Sequence, residues 1–170
     1  LLSLVKMDKT SANLNIENRN LNELIELILK RLRPIAKQRN IDVLYESARE
    51  VFAEIDEVKL TLAISNLVEN AIKYNKEYGY VKVSLDADHQ FATIMVEDNG
   101  IGIPEEAQEH IFERFYRVDK SHSREIGGTG LGLAIARNAI LLHRGSIKID
   151  SEEGQGTVFT VKIPIIYVSK

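Results

Sequence analysis

The chain has 170 residues, with 22 Lys and Arg against 25 Asp and Glu, a net charge of -3, four His and no Cys. Its length suits one domain that buries about two-thirds of its unfolded surface, and 44% hydrophobic with 28% charged residues argues against disorder. The lack of Cys removes disulfides, thiolate metal sites and Cys nucleophiles; the charge gives no electrostatic case for nucleic acid or anionic membrane; no apolar run nears the ~18 residues of a membrane span.

Leu1, Leu4, Val5 and Asp8 lie on related helical turns, and the chain opens on Leu, not Met. Residues 1–12 therefore read as the end of a helix plus linker in an internal fragment, and residues 13–170 as one domain. Residues 9–20 are polar and Asn-rich, a linker or short edge strand. Asn20 with Glu23 makes a helix N-cap signal. Leu21, Leu24, Ile25, Ile28, Leu32 and Ile35 then repeat at helical spacing, with Pro34 expected to kink or end the helix. Ile41, Val43 and Tyr45 alternate, as do Val51, Ala53 and Ile55, which predicts two short strands around a turn.

Asp56 can cap a long helix to about Asn75, with Leu60, Ile64, Leu67 and Ala71 as its core stripe. Val81, Val83 and Leu85 mark a strand, and residues 91–97 a second, forming a hairpin. Residues 99–104 are a Gly-rich break, and 104–115 a short helix. Residues 117–129 are polar and end in glycines, as a mobile loop does. Residues 131–143 are helical, with Gly145 as the stop. Ile147 and Ile149, then Phe159, Val161 and Ile163, form two strands across a Glu-Gly-Gln-Gly turn. Hairpins mixed with helices predict an α/β two-layer sandwich: a mixed, mainly antiparallel sheet with helices packed on one face.

Three motifs bear on chemistry. In S-N-L-V-E-N-A-I-K-Y-N, Asn66, Asn70 and Lys73 fall at i, i+4 and i+7 and share a helix face. Asn disfavours helix interiors unless its amide is used, so this face could floor a polar pocket or be a plain solvated face. D-N-G-I-G-I, residues 98–103, follows an apolar strand: Asp98 can point into a pocket, and Gly100 and Gly102 permit close backbone approach. Asp-Asn-Gly is equally ordinary turn chemistry. G-G-T-G-L-G-L-A-I-A, residues 127–136, opens a helix, whose free N–H groups suit phosphate. It lacks the Gly-Lys-Ser/Thr of a P-loop and the G-x-G-x-x-G of a dinucleotide fold.

Together the three motifs resemble the N box and the two glycine boxes of sensor histidine kinases, and F-E-R-F-Y-R-V-D, residues 112–119, resembles their F box. All four occur in the family's order across residues 21–163. The resemblance implies the Bergerat ATP-binding fold, shared with gyrase-type, Hsp90-type and MutL-type ATPases, and the cofactors ATP and Mg2+. The head L-L-S-L-V-K-M-D resembles the end of a dimerisation-domain helix.

Residue by residue, the resemblance implies that Asn70 ligates Mg2+ and that Asn66 and Lys73 lie near the phosphates, these three forming the catalytic set. Tyr74 would line the nucleotide. Asp98 would accept from the adenine amino group, where guanine presents a carbonyl. Gly100, Gly102, Ile103 and Thr157 would shape the adenine pocket. Arg117 would reach the phosphates. Gly128, Thr129, Gly130, Leu131, Gly132 and Leu133 would close over the triphosphate, with residues 118–127 as the ATP lid. Gyrase-type relatives carry a water-activating Glu where this chain has Asn66, so the site looks built to hold ATP for transfer. Phe112, Phe115 and Tyr116 read as lid anchors.

None of His89, His110, His122 and His143 has the acidic and Arg-x-x-Pro-like neighbours of the family's phosphoacceptor. The resemblance therefore implies a His on a separate dimerisation and phosphotransfer domain, and relay to an Asp of a response regulator. It also implies a cytoplasmic location, a membrane-bound homodimeric parent and a monomeric fragment. A Ser/Thr kinase of the anti-sigma type and a non-catalytic scaffold on the same fold are the rival readings.

Overall fold

The computed structural model describes residues 14–113 and 132–168. The readings for residues 1–12, for Phe115, Tyr116, Arg117 and the 118–127 loop, and for Gly128, Thr129, Gly130 and Leu131, lie outside the described residues.

β1 (Glu17–Asn20) leads into α1 (Leu21–Gln38), where the Glu23 N–H donates to Asn20 Oδ1 at 3.2 Å, the expected cap. Leu21, Leu24, Ile25, Ile28, Leu29, Leu32 and Ala36 are buried. The helix runs through Pro34, against expectation. Pro34 and Lys30 lie on the solvent side, where water can serve the carbonyl that proline's missing N–H leaves free, and burial of Leu32 and Ala36 holds the last turns.

β2 (Asp42–Ser47) and β3 (Phe52–Ile55) form where alternation predicted them, but they do not pair. β2 runs parallel to β4 (Tyr80–Ala87), while β3 pairs antiparallel with β1 in a separate two-stranded sheet. Asn22 parts them: its Nδ2 donates to Ser47 Oγ at 2.8 Å and its Oδ1 accepts from Val51 N–H at 2.8 Å, fixing both flanks of the connection. Asp56 caps α2 (Glu57–Lys73), accepting from Lys59 N–H at 3.0 Å.

β4 and β5 (Phe91–Asp98) form the predicted hairpin, as do β6 (Ser146–Glu152) and β7 (Gly156–Pro164). The main sheet has the order β2-β4-β5-β7-β6, with only β2–β4 parallel. Helices α1, α2 and α4 (Gly132–Leu142) cover one face, which gives the mixed two-layer sandwich. α3 is only Glu105–Gln108, shorter than the predicted 104–115. The Gln108 side chain turns back to donate to Ile103 O at 2.9 Å and Ser151 O at 3.0 Å.

α4 lies antiparallel to α2: the Asn66 side chain reaches the carbonyl of Gly132, and His143 the backbone of Asp56. The helix stop differs from expectation. Arg144, not Gly145, takes the left-handed conformation, with φ 63°. Gly145 N–H closes onto Ile140 O at 3.0 Å and Arg144 N–H onto Leu141 O at 2.9 Å. Glycine is needed at 145 for space, since a Cβ would lie 2.3 Å from Lys162 O.

Candidate functional site

The site gathers at the C-terminal ends of α2 and β5. Asp98, the last residue of β5, is 9% exposed. Its Oδ1 accepts from Gly100 N–H at 2.9 Å, and the N–H of Thr157, its partner across β7, also donates to the carboxylate. Burial outweighs these two donors, with Glu97 adding repulsion, and the pKa rises to about 6. At neutral pH Asp98 is thus a buried carboxylate with acceptor capacity left, suited to an N–H donor.

The glycine loop is fixed from two sides. From α2, Tyr74 O accepts Ile101 N–H at 3.1 Å, and a Cβ on Gly100 would stand 2.4 Å from Tyr74 O. From the β6–β7 hairpin, Ser151 Oγ accepts Ile103 N–H at 2.8 Å, and Gly154 N–H donates to Ile101 O at 2.7 Å. Gly102 has φ 71°, and a Cβ there would lie 2.2 Å from Glu152 O, so glycine is required twice over. Ile103 is buried in the core, so its side chain seats the loop.

Along α2, Asn66, Asn70 and Lys73 are half-buried, and Asn66 meets the start of α4. Asn66 Nδ2 donates to Gly132 O at 3.2 Å. Among the described residues, the side chains of Asn70 and Lys73 have no hydrogen-bond or ion-pair partner. Leu133 is half-buried and packs against the core beside Gly132. The structure therefore brings Asn66 together with Gly132 and Leu133, and Asp98 together with Gly100, Gly102, Ile103, Tyr74 and Thr157.

Other residues support the site in roles the sequence did not assign, although Asn75 and Asn99 lie within the quoted motifs. Arg39 donates to the carbonyls of Ile72 and Lys73, at 2.5 and 2.7 Å, and closes the end of α2. Asn75, 5% exposed, donates to Tyr80 O at 2.9 Å. Asn99 Oδ1 accepts Tyr80 N–H at 2.8 Å and holds the start of β4 to the loop. His143 is buried and neutral in role: Nε2 accepts Asp56 N–H at 3.0 Å, while Nδ1 donates to Ala139 O at 2.8 Å. Desolvation lowers its pKa.

A buried carboxylate beside a glycine loop, and an amide-bearing helix facing the start of a second helix, define a nucleotide-binding domain. Residues 55–166 match the family of histidine kinase-, DNA gyrase B- and HSP90-like ATPases, and the chain belongs to that family. It is 44% identical over 149 residues to the sensor histidine kinase RppB of Synechocystis, covering 87% of this chain and 33% of the relative. It is 40% identical over 167 residues to the sensor histidine kinase WalK of Bacillus subtilis, covering 96% of this chain and 27% of the relative. The chain thus spans about a third or less of these relatives. The structure superposes on the catalytic domain of histidine kinase ThkA with a TM-score of 0.79 and 32% identity, covering 90% of this chain and 97% of that one. ThkA in complex with the response regulator TrrA aligns with a TM-score of 0.74 and 30% identity, covering 88% of this chain and 42% of that one. The chain is thus an ATP-binding domain of the histidine kinase type, with the Bergerat fold the motifs implied. Among the described residues, no helix is long and apolar enough to cross a membrane.

Proposed function

We propose that this domain holds Mg-ATP and presents its γ-phosphate to a His on a separate dimerisation domain, for relay to an Asp of a response regulator. The observation that carries the reading is the buried Asp98 acceptor together with a half-buried Asn66–Asn70–Lys73 row whose Asn66 meets the N-terminus of α4. The ThkA complex with its response regulator supports the relay partner. A membrane-anchored homodimeric parent, with this domain in the cytoplasm and residues 1–12 leading from the dimerisation domain, completes the proposal.

In this reading Asp98 takes the adenine amino group and rejects the guanine carbonyl. Gly100, Gly102, Ile103 and Thr157 form the walls of the base pocket, and Tyr74 lines it. Asn70 suits Mg2+: its amide is partnerless among the described residues, and no cluster of three acidic, His or Cys side chains there could cage a metal. One protein oxygen would then suffice beside waters and phosphate oxygens. Bound Mg2+ would supply charge neutralisation to the triphosphate. Lys73 adds a second positive charge, and Asn66, tied to Gly132, sets the spacing of α2 from α4. Arg117, Gly128, Thr129, Gly130 and Leu131 are assigned to the phosphates by their motifs alone, with Gly132 and Leu133 beginning the helix. Asn66 has no carboxylate to activate water, which favours transfer over hydrolysis.

The test supplies the domain with the parent's His-bearing dimerisation domain and γ-labelled ATP. Label on that His, lost on Asp98→Asn, supports the proposal. Tight ATP binding with no transfer favours the scaffold reading, and label on Ser or Thr of a partner favours the anti-sigma type.

A further inference from the structure

We infer that Ser151 is a positioning residue that sets the base specificity of the pocket by fixing which way the Thr157 hydroxyl points. The inference rests on the adenine reading of Asp98.

Ser151 Oγ makes three contacts. It accepts Ile103 N–H at 2.8 Å, donates to Gly156 O at 2.9 Å and lies 2.8 Å from Thr157 Oγ1. A serine hydroxyl has one proton and two lone pairs. The arrangement that satisfies all three contacts spends the Ser151 proton on Gly156, so the Thr157 proton must turn to Ser151. Thr157 is 5% exposed, which leaves no bulk water to redirect that proton.

Thr157 stands directly opposite Asp98 across the β5–β7 ladder, so both side chains share one face of the sheet. With its proton held by Ser151, Thr157 shows the pocket only lone pairs. Asp98 is also acceptor-only once ionised, with Gly100 and Thr157 N–H groups already on it. Asp98 and Thr157 then both present acceptors to the base. A base with an exocyclic amine matches them, and a base with a carbonyl at that position meets repulsion. Ser151 touches no part of the base in this arrangement. Its effect passes through one hydroxyl proton and, through Ile103 N–H, through the seat of the glycine loop.

Removing the Ser151 hydroxyl frees the Thr157 proton to turn toward the base or toward Asp98. The first offers a donor to a carbonyl, and the second weakens the acceptor, so both narrow the discrimination. A purely structural role would instead weaken all nucleotides alike.

The experiment titrates wild type, Ser151→Ala and Ser151→Thr with ATP and with inosine triphosphate, which carries a carbonyl in place of the exocyclic amine and a proton on the adjacent ring nitrogen. The ATP preference is expected to shrink about tenfold in Ser151→Ala, one hydrogen bond's worth, and to be kept in Ser151→Thr. An unchanged ratio in Ser151→Ala, even with both affinities lowered, overturns the inference. No preference in the wild type overturns the adenine reading itself, and this inference with it. If Ser151→Ala does not fold, Ser151→Cys, similar in volume but a poor acceptor, is read by the same ratio.

Discussion

Replacing Asp98 with Asn separates the site's affinity from the fold's stability. Burial lifts the carboxyl from 3.8 to about 6 in the folded chain. The folded state therefore binds more protons than the unfolded state between those values, and the stability from this group falls as pH rises through that window. Above pH 6 the cost is complete, about 3 kcal/mol. Asn removes it but offers one acceptor oxygen to the N–H groups of Gly100 and Thr157, and a lost hydrogen bond returns about 1 kcal/mol. The expected net gain for the nucleotide-free protein at pH 7 is about 1–2 kcal/mol, or about 3–6 °C in Tm for a chain of this size. At pH 4 the gain vanishes, because Asp98 is then largely protonated in the fold. ATP binding should meanwhile fall at least tenfold, with its preference over GTP lost. Thermal unfolding from pH 4 to 8, with calorimetric titration of both nucleotides, reads all of these. A variant that melts at or below wild type at pH 7, with the same pH profile, refutes the reasoning.

Four further substitutions test other parts of the structure. Asn70→Ala should change stability by less than about 1 kcal/mol and abolish the Mg2+ dependence of triphosphate binding; an unchanged Mg2+ response in titrations refutes the assignment. Gly102→Ala, with φ 71° and a Cβ 2.2 Å from Glu152 O, should cost about 3 kcal/mol or more. Gly132→Ala, whose Cβ would meet, among the described residues, the Asn66 side chain at 3.8 Å, should melt like wild type; denaturant titration ranks the two. His143→Leu should cost about 1–3 kcal/mol, because the buried Asp56 N–H loses its partner, while Ala139 O keeps the backbone N–H of residue 143. The His143 pKa is lowered, so wild type loses this contribution as pH falls below the unfolded His value, opposite in sign to Asp98, and the variant should lack that part of its acid slope.

Alternation and helical spacing are local properties, and what they determine locally was legible. The Asn20 and Asp56 caps, the β4–β5 and β6–β7 hairpins, and the end of β5 at Asp98 all fall where the residues predicted. Partner choice was not legible. The alternation in β2 and β3 specifies two strands and their faces, yet the contacts of the single Asn22 amide hold them in different sheets. Pro34 misled because its cost depends on which side of the helix it faces, and that side is open to water. Arg39 and Ser151 carry no motif at all. Arg39 meets carbonyls 33 and 34 residues away, and Ser151 meets Ile103 across 48, so only the assembled fold brings them to the site.

The Asp56–His143 contact also fixes one end of α4. It fastens α2 to α4 at the end remote from the glycines, and the incoming chain joins the same knot through Asn15 N–H on Asp56 Oδ2 at 2.9 Å. α4 is then a lever about 16 Å long, pivoted at its C-terminus, and a tilt of about 5° would carry Gly132 roughly 1.4 Å from Asn66. That is enough to break the 3.2 Å hydrogen bond between them. Asn15 is thus bonded at the fixed end of α4 and Asn66 at the other, so a rotation at the Asp56 knot would be felt most where the phosphates are proposed to lie.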